Sequence, residues 1–353
     1  MYCQLDTLRR CFPSSIRKTL NELPPTLDET YERTLQEIPK EKKQHAHQLF
    51  QCLVAAIRPL RVEELAEIFA IDFDQDVTSN FVEAWRPEIP EDAILSACST
   101  LIVVIDGNKG SKIVQFSHFS VKEFLTSDRL RTSEVGNIIH FHIPPNTAHT
   151  ILARACLTVL LQLGENADKK RLATFPLAFY AAQYWFDHAR YEDVAPRLQD
   201  AMEQLFNPSK PYFAAWVWVH DVNGQTRESI DDLRDHPGPP SATALYYAVS
   251  CGLIGPAKYL ISTHGEDVNA KCGFHGSPLH AASGKGYLDA VSLLLDHGAD
   301  VDMINPLEQT PLWCAYIGGH LEVMRLLLER GAAPDVSVGI GPLTHHEIGR
   351  AHV

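Results

Sequence analysis

The sequence predicts a mainly α-helical protein that carries one small β-hairpin and ends in a solenoid of stacked helix pairs. Three observations predict this fold class. A unit of about 33 residues recurs in the last third of the chain. Apolar residues recur at helical spacing through most of the remaining sequence. Two short runs rich in β-branched residues, LIVVID and KIVQFSH, flank a turn that begins and ends with glycine.

The clearest copy of the repeated unit is Ser277–Asp302, with the sequence SPLHAASGKGYLDAVSLLLDHGADVD. Similar units open at Thr243 and Thr310, at nearly equal distances before and after its first residue. A period of about 33 residues that carries T-P-L-H-x-A resembles the ankyrin repeat. The resemblance implies an ankyrin-repeat α-solenoid over residues 239–346 with about three legible copies. It also implies that this end of the chain binds a protein ligand.

The unit contains the residues that a short helix pair needs. Pro278 suits the first turn of a helix, where its missing N–H is not required. Gly286 and Gly298 suit the ends of the two helices, because a left-handed residue there costs glycine least. Since one helix pair cannot bury its apolar face alone, neighbouring units must stack. In ankyrin repeats the histidine that matches His280 is a structural hydrogen-bonding residue, and we expect the same of His280.

The resemblance places candidate ligand-binding residues on the hairpin tips and inner helices of the repeats. On the tips they are Asn269, Lys271, Phe274, His275, Met303, Asn305 and Leu307. On the third inner helix, Trp313 and Tyr316 add aromatic side chains of the kind that dominate protein interfaces. Each of these residues has an alternative role in packing between repeats, and the sequence does not separate the two roles.

Residues 41–130 follow the order of a winged-helix domain: three helices, a hairpin and a further helix. The predicted helices are Lys42–Ile57, VEELAEIFAI, PEDAILSACS and FSVKEFLTS, and the strands LIVVID and KIVQFSH are joined across Gly107–Gly110. A winged helix raises the question of DNA binding. The third helix has two acidic residues and neither Lys nor Arg, whereas a DNA-reading helix needs cationic or amide side chains. The sequence therefore argues against nucleic acid as a partner.

Three segments of the chain carry a second resemblance: IRKTLNELPPTLDETYERTLQEI, QCLVAAIRPLRVEELAEIFAIDFD and FSHFSVKEFL. They resemble the region that follows the NTPase module in fungal NACHT-type proteins. These proteins are signal-transducing ATPases of the STAND class, are related in plan to NOD-like receptors, and often end in ankyrin repeats. The same type of winged helix occurs in multidomain proteins similar to GPI inositol-deacylase.

This resemblance implies how the chain is divided. We expect a helical remnant of a missing NACHT NTPase over 1–40, the winged-helix domain over 41–130, a helical linker domain over 131–238 and the repeats over 239–346. The implied function is that of a non-catalytic part of a STAND signalling protein. The repeats would bind a protein ligand, the winged helix would relay binding to the NTPase, and oligomerisation would occur only through the NACHT module. The alternative is a stand-alone ankyrin scaffold that works without an ATPase.

The same resemblance singles out one histidine. In STAND ATPases, a histidine at a strand-to-helix junction of the winged helix contacts the phosphate of bound ADP. His118 lies at such a junction, just before the helix that starts near Ser120. The resemblance therefore implies nucleotide sensing by His118 when an NTPase module is present. The segment lacks the Met-His-Asp form common in plant and animal relatives, and the alternative is a helix-capping or core histidine.

Composition and motifs narrow the function further. The formal net charge of −13 disfavours binding to phosphate backbones. The sequence contains neither a G-x-x-x-x-G-K-[ST] phosphate loop nor a G-x-S-x-G nucleophile elbow. Its 17 histidines form no zinc-ligand pattern with cysteines or carboxylates. We therefore expect no catalytic residues, no cofactor and no metal site.

The termini and the cysteines bear on location. Eight scattered cysteines without a C-x-x-C pair are typical of a reducing compartment. The first residues lack the apolar core of a signal peptide, and the longest apolar stretch, Ile151–Leu163, is short and contains Arg154. We expect a cytoplasmic protein without membrane insertion. The final segment, Glu347–Val353, matches the translation of a sequencing-adapter read, so we expect an assembly artefact there and a repeat array that is cut short.

Overall fold

The computed structural model describes residues 26–334 apart from 75–79, 99, 132–137, 165, 223 and 225–228. It divides into two compact units, of which the first contains residues up to 159 and 175–194, and the second contains 160–174 and the residues from 195. Its architecture is mainly helical, with a winged-helix domain and ankyrin repeats, which confirms the predicted fold class. Residues 1–25, the end of the predicted repeat region after residue 334, and Glu347–Val353 lie outside the described residues.

Helix α1 (Leu27–Gln36) precedes the winged-helix domain, whose first two helices are α2 (Lys43–Ala55) and α3 (Val62–Ala66). Leu35 of α1 and both Leu49 and Phe50 of α2 are fully buried. Helix α2 ends at Ala55, because Ala56 has a ψ of 127°, outside the helical region. Ile57, the last residue of the predicted helix, therefore lies beyond α2 and is 49% exposed.

The second predicted helix is shorter than its sequence pattern suggests. After α3 the chain tightens into a 3-10 turn over Glu67–Ala70 and then forms β2 (Ile71–Asp72). Strand β2 pairs antiparallel with β3 (Asn80–Phe81), so Ile71 uses its backbone groups in a sheet and not in a longer helix. The third predicted helix is confirmed as α4 (Pro90–Cys98).

The predicted hairpin is also confirmed. Strands β4 (Ile102–Asp106) and β5 (Lys112–Phe116) are antiparallel, with Ile102 opposite Phe116. The short β1 (Leu60–Arg61) pairs with the other edge of β5 and gives a three-stranded sheet of order β1-β5-β4. Helix α5 (Phe119–Thr126) follows the hairpin, and α6 (Asp128–Arg131) follows α5.

Helix α1 packs on the helix that follows the hairpin. The rings of Tyr31 and Phe124 lie 5.5 Å apart, and Tyr31 Oη is 2.8 Å from Ser120 Oγ. Arg129 donates a hydrogen bond of 2.7 Å to Asp28 at the start of α1. These contacts place α1 in the same compact unit as the winged helix.

Three further helices are α7 (Pro145–Gly164), α8 (Lys169–Ala173) and α9 (Ala178–Ala189). Helix α7 begins at Pro145, which suits the first turn of a helix, and Asn146 in the same turn accepts a hydrogen bond from the Thr147 N–H. Among the described helices, α7 alone has the length and composition to cross a membrane. Because 67% of its most apolar window is buried within the protein, a core helix meets the same criteria.

A buried glutamate holds the start of α3. Arg58 binds Glu64 in a bidentate arrangement with two N–O distances of 2.8 Å. The Arg61 backbone N–H donates a third bond of 2.8 Å to the same carboxylate. Burial alone would raise the pKa of Glu64, but these bonds outweigh burial and hold it below its usual value.

A second buried glutamate joins α3 to the chain before α9. Glu67 accepts a hydrogen bond of 2.6 Å from Arg86 and one of 2.8 Å from the Leu177 N–H. The Arg86 guanidinium lies between the rings of Phe81 and Phe175, 4.8 and 5.0 Å from their centroids. Burial raises the pKa of Glu67 despite these partners. Removing one partner would therefore leave a desolvated charge inside the first unit.

A hydrogen-bonded chain runs through α9. Tyr180 Oη accepts from the Ile57 N–H at 3.1 Å and lies 2.9 Å from His188 Nε2. His188 Nδ1 is 2.9 Å from His149 Nδ1. Every group is satisfied when Tyr180 donates to Nε2 and His188 donates from Nδ1, which requires a neutral His188. Burial, followed by the nearby His149, lowers the pKa of His188 to about 3.

In the second unit, two helices cover the first repeat. They are α10 (Gln199–Phe206) and α11 (Tyr212–Val219). The Tyr247 ring packs edge-on against Phe213 and Trp216, with centroid distances of 5.4 and 6.0 Å. Its hydroxyl donates to Asp221 at 2.7 Å. Since a solenoid exposes apolar surface at an uncovered end, α11 serves as the N-terminal cap of the repeats.

Each described repeat consists of an inner and an outer helix. The pairs are α12 (Ala244–Ser250) with α13 (Ile254–His264), α14 (Pro278–Lys285) with α15 (Leu288–Asp296), and α16 (Pro311–Ile317) with α17 (Leu321–Glu329). Gly286 ends α14 with a φ of 76°, and Gly298 follows α15 with a φ of 86°. Both predicted glycine positions are thus confirmed.

Candidate protein-binding surface

The inner helices of the three repeats begin in the same way. Thr243, Ser277 and Thr310 are extended residues, and each hydroxyl accepts a hydrogen bond from the backbone N–H three residues later. The shared cap fixes the register of the repeats. Residues of the second and third repeats that lie equally far along the chain from their own cap are therefore structurally equivalent.

One inner-helix position connects the first and the second repeat to the following tip, which is the loop before the next inner helix. The buried His280 places Nδ1 2.7 Å from Ser277 Oγ and Nε2 3.0 Å from the Gln309 carbonyl oxygen. In the first repeat the equivalent residue is Tyr246, whose Oη accepts from the His275 N–H at 3.1 Å. Burial lowers the pKa of His280 and raises that of Tyr246 to about 12, so both side chains stay neutral near pH 7. The structural role predicted for His280 is confirmed.

Two asparagines among the candidate binding residues hold the loops together. Asn269 donates to the Gly298 carbonyl at 3.0 Å and accepts from the Asp300 N–H at 2.8 Å, which ties two tips to each other. Asn305 is 5% exposed and accepts from the Leu307 N–H at 2.9 Å within its own tip. Its amide nitrogen donates to the His275 carbonyl at 3.0 Å. Both side chains therefore take part in packing between the loops, which is one of the two roles that the sequence allows for them.

Other tip residues face outwards. The side chains of Phe274 and Leu307 are 68% and 61% exposed, and they are equivalent residues of successive tips. Ile304 is 57% exposed, and it lies at the position equivalent to the exposed Lys271. Sequence reasoning missed Ile304, although its equivalence to Lys271 in the repeat register is a signal that could have found it.

The remaining candidate residues are half-buried. Trp313 and Tyr316 lie side by side on α16, with ring centroids 5.5 Å apart. Met303 is partly covered beside its tip, and His275 is held through its backbone N–H. Burial, together with the charge of Lys285, lowers the pKa of His275. His275 and Met303 lie within the tips, whereas Trp313 and Tyr316 lie on the inner helix that follows the second tip.

His118 caps helix α5. Its Nδ1 accepts a hydrogen bond of 3.2 Å from the Ser120 N–H and lies 2.6 Å from Ser120 Oγ. The ring is exposed, and its centroid lies 4.4 Å from that of Phe119, which is 69% exposed. The capping alternative is thus realised in this structure, and Nε2 remains directed away from the capping bond.

The described residues contain no group of three or more His, Cys, Asp or Glu side chains placed to hold a metal ion. Burial raises the pKa of the Cys52 thiol to about 12 and that of Cys314 to about 11. Reactive cysteines need a lowered pKa, so these two thiols are suited to packing.

Comparisons with known families agree with this architecture. Residues 245–338 match the model of ankyrin repeats in three copies. Residues 31–136 match the model of the winged helix domain of GPI inositol-deacylase. The chain therefore contains a winged-helix domain of that type, followed along the sequence by ankyrin repeats.

A curated relative shares much of this chain. It is the azaphilone pigments biosynthesis cluster protein L of Monascus ruber, which is 30% identical over 294 residues. The match covers 78% of this chain and 60% of the relative. The chain thus spans less than two thirds of the length of the relative that it matches.

Proposed function

We propose that this chain is a non-catalytic part of a STAND-type signalling protein whose ankyrin repeats bind a protein ligand. One observation carries the proposal: stacked repeats present exposed apolar side chains, Phe274 and Leu307, at equivalent tip positions. Isolated exposed apolar residues are common, whereas an ordered row of them on a repeat surface favours binding to another protein.

The winged helix gives the proposal its second part. In this proposal it relays ligand binding to a NACHT NTPase that lies in a part of the protein outside these 353 residues. The winged-helix match and the ankyrin repeats on one chain support this arrangement. His118 would sense the nucleotide, because its exposed ring stands at the junction of β5 and α5. The proposed location is the cytoplasm.

Ligand capture tests the binding function. The wild-type chain and a Phe274→Ser/Leu307→Ser variant would be immobilised and incubated with extract from the source cells. We expect a protein retained by the wild type at near-equimolar amount and lost from the variant. A Leu288→Ser/Leu321→Ser variant is the matched control, because these outer-helix residues are also equivalent positions of successive repeats and are 41% and 42% exposed. Retention that is equal on all three chains would contradict the proposal.

The relay is tested separately. The genomic sequence upstream of Met1 should encode an in-frame phosphate loop, whereas a promoter and a stop codon there would favour the scaffold alternative. In the protein with its NTPase, His118→Ala should release ADP faster than the wild type. Unchanged ADP retention would remove His118 from the mechanism.

A further inference from the structure

We infer that the repeats recognise a peptide segment that carries two apolar side chains and an acidic residue. The two apolar side chains are spaced so that they contact the tips of two neighbouring repeats, and the acidic residue lies beside the one that contacts Phe274. The surface is the tip ladder, which we define as Lys271, Phe274, Ile304 and Leu307. This inference rests on the proposed protein-binding function and specifies the class of its ligand. It follows from the spacing, the exposure and the charge of the tip residues.

The spacing comes from the stacking of the repeats. Phe274 and Leu307 occupy equivalent positions ahead of the neighbouring inner helices α14 and α16. Packed helices lie about 8–10 Å apart, so the two side chains project at about that separation. A polyproline-II segment, in which every third side chain lies on the same face, covers this distance in three residues, at about 3.1 Å each. A helical segment covers it in seven residues, at about 1.5 Å each. The partner therefore presents apolar residues at i and i+3 or at i and i+7.

The exposure shows where the apolar contact is made. Phe274, Ile304 and Leu307 are 68%, 57% and 61% exposed. They belong to tips whose backbones are fixed from within, because Asn305 bonds to its own tip and to the preceding one. A fixed loop that carries exposed apolar side chains loses little conformational entropy on binding. Such residues are the expected centres of an interface.

The charges give the ligand an orientation. Lys271 is exposed on the first tip, and no ion pair joins it to a carboxylate among the described residues. The second tip carries the exposed Glu308 directly after Leu307. A carboxylate of the ligand is therefore attracted to the first tip and repelled from the second. The acidic residue of the ligand thus lies on the Phe274 side.

A random 12-residue peptide library displayed on phage and selected on the wild-type chain tests the inference. We expect enriched sequences to share two large apolar residues at i and i+3 or i and i+7, with Asp or Glu next to one of them. Synthetic peptides of the enriched sequences are then titrated by calorimetry. Phe274→Ser and Leu307→Ser should each weaken binding at least about tenfold, as truncation of an interface centre does. Lys271→Glu should weaken it by about threefold to tenfold, and more strongly at low salt.

The Leu288→Ser/Leu321→Ser chain is the control and should bind the peptides within about twofold of the wild type, because its changes lie away from the centre of the interface. The inference is overturned if the selected peptides lack the two-apolar pattern, or if their binding survives Phe274→Ser and Leu307→Ser. It is also overturned if no peptide is enriched, since the library contains both spacings. If, in any of these cases, the wild type still captures a cellular protein that the Phe274→Ser/Leu307→Ser variant loses, the proposed function stands and only the inferred peptide pattern is wrong. Equal retention of cellular proteins by the wild type and both variants would refute both.

Discussion

Acid should weaken the first unit through His188. The folded-state pKa of this residue is about 3, whereas an unfolded histidine has a pKa of about 6.5. As the pH falls below about 6.5, His188 binds a proton in the unfolded chain but not in the folded chain, so the stability present at neutral pH is progressively lost. Between about pH 6.5 and pH 5.0, a span of about 1.5 pH units, His188 is protonated in the unfolded chain and neutral in the folded chain. Each pH unit lowers the free energy of unfolding by about 1.4 kcal/mol, so this free energy is about 2 kcal/mol lower at pH 5.0 than at pH 7.5.

The structural reason is the hydrogen-bonded chain through α9. A protonated His188 would present two N–H donors, one of which would face Tyr180 Oη in place of an acceptor. Tyr180 Oη and His188 Nε2 are 2.9 Å apart, and both side chains are fully buried. Water therefore does not relieve the mismatch. We expect α9 to open before the rest of the unit as the pH falls.

Hydrogen exchange read by mass spectrometry measures this locally, at a series of urea concentrations and at pH 7.5 and 5.0. His188→Gln should be less stable at pH 7.5 but should lack about 2 kcal/mol of the pH dependence in peptides from α9. His45→Gln is the matched control, because His45 is exposed in the same unit and should keep the wild-type pH dependence. His47, with a pKa lowered to about 4 by burial and by His140 and His142, contributes a background present in all three chains. An unchanged pH dependence of α9 in His188→Gln would refute the reasoning.

Three further predictions concern single residues. Arg86→Met leaves the Glu67 carboxylate without its cation, and the free energy of unfolding should fall by about 3 kcal/mol in a urea titration; a loss below about 1 kcal/mol would contradict the buried pair. Tyr246→Phe removes the acceptor of the His275 N–H and should cost about 1 kcal/mol, with faster exchange of that amide by NMR; unchanged exchange would mean that the bond does not form. Glu308 has a φ of 59°, so Glu308→Gly should raise stability by about 0.5 kcal/mol in thermal unfolding, and a decrease would argue against the left-handed conformation.

The sequence predicts those parts of the fold whose determinants are close together in the chain. The caps Ser277 and Thr310 act on backbone groups three residues away, and Gly286 acts through its own φ angle. The hairpin of β4 and β5 is likewise encoded by two adjacent runs and their turn. The shortened helix α3 escaped prediction because its end depends on the pairing of Ile71 with Phe81, and no helical pattern contains that information.

The candidate surface was predictable only in part. The repeat register identifies Phe274 and Leu307 as tip residues, and the structure places both side chains outside. It also shows that the side chains of both Asn269 and Asn305 bond to loop backbones, with Asn305 buried and Asn269 half-buried. An amide side chain at a tip can serve a ligand or a neighbouring backbone equally well. Only the position of the next repeat, with the Gly298 carbonyl at 3.0 Å from Asn269, selects between these roles.

By itself, the sequence determined a mainly helical chain with one β-hairpin and a recurring helix pair, because capping residues and apolar periodicity act locally. Its resemblance to known families implied the winged helix and the ankyrin repeats. The tertiary structure decided which polar side chains are internal. Glu67 and Leu177 are 110 residues apart in the chain, yet their hydrogen bond of 2.8 Å is buried. No local pattern distinguishes Glu67 from an exposed glutamate of an amphipathic helix. Its role is set by desolvation and by partners that only the folded chain brings together.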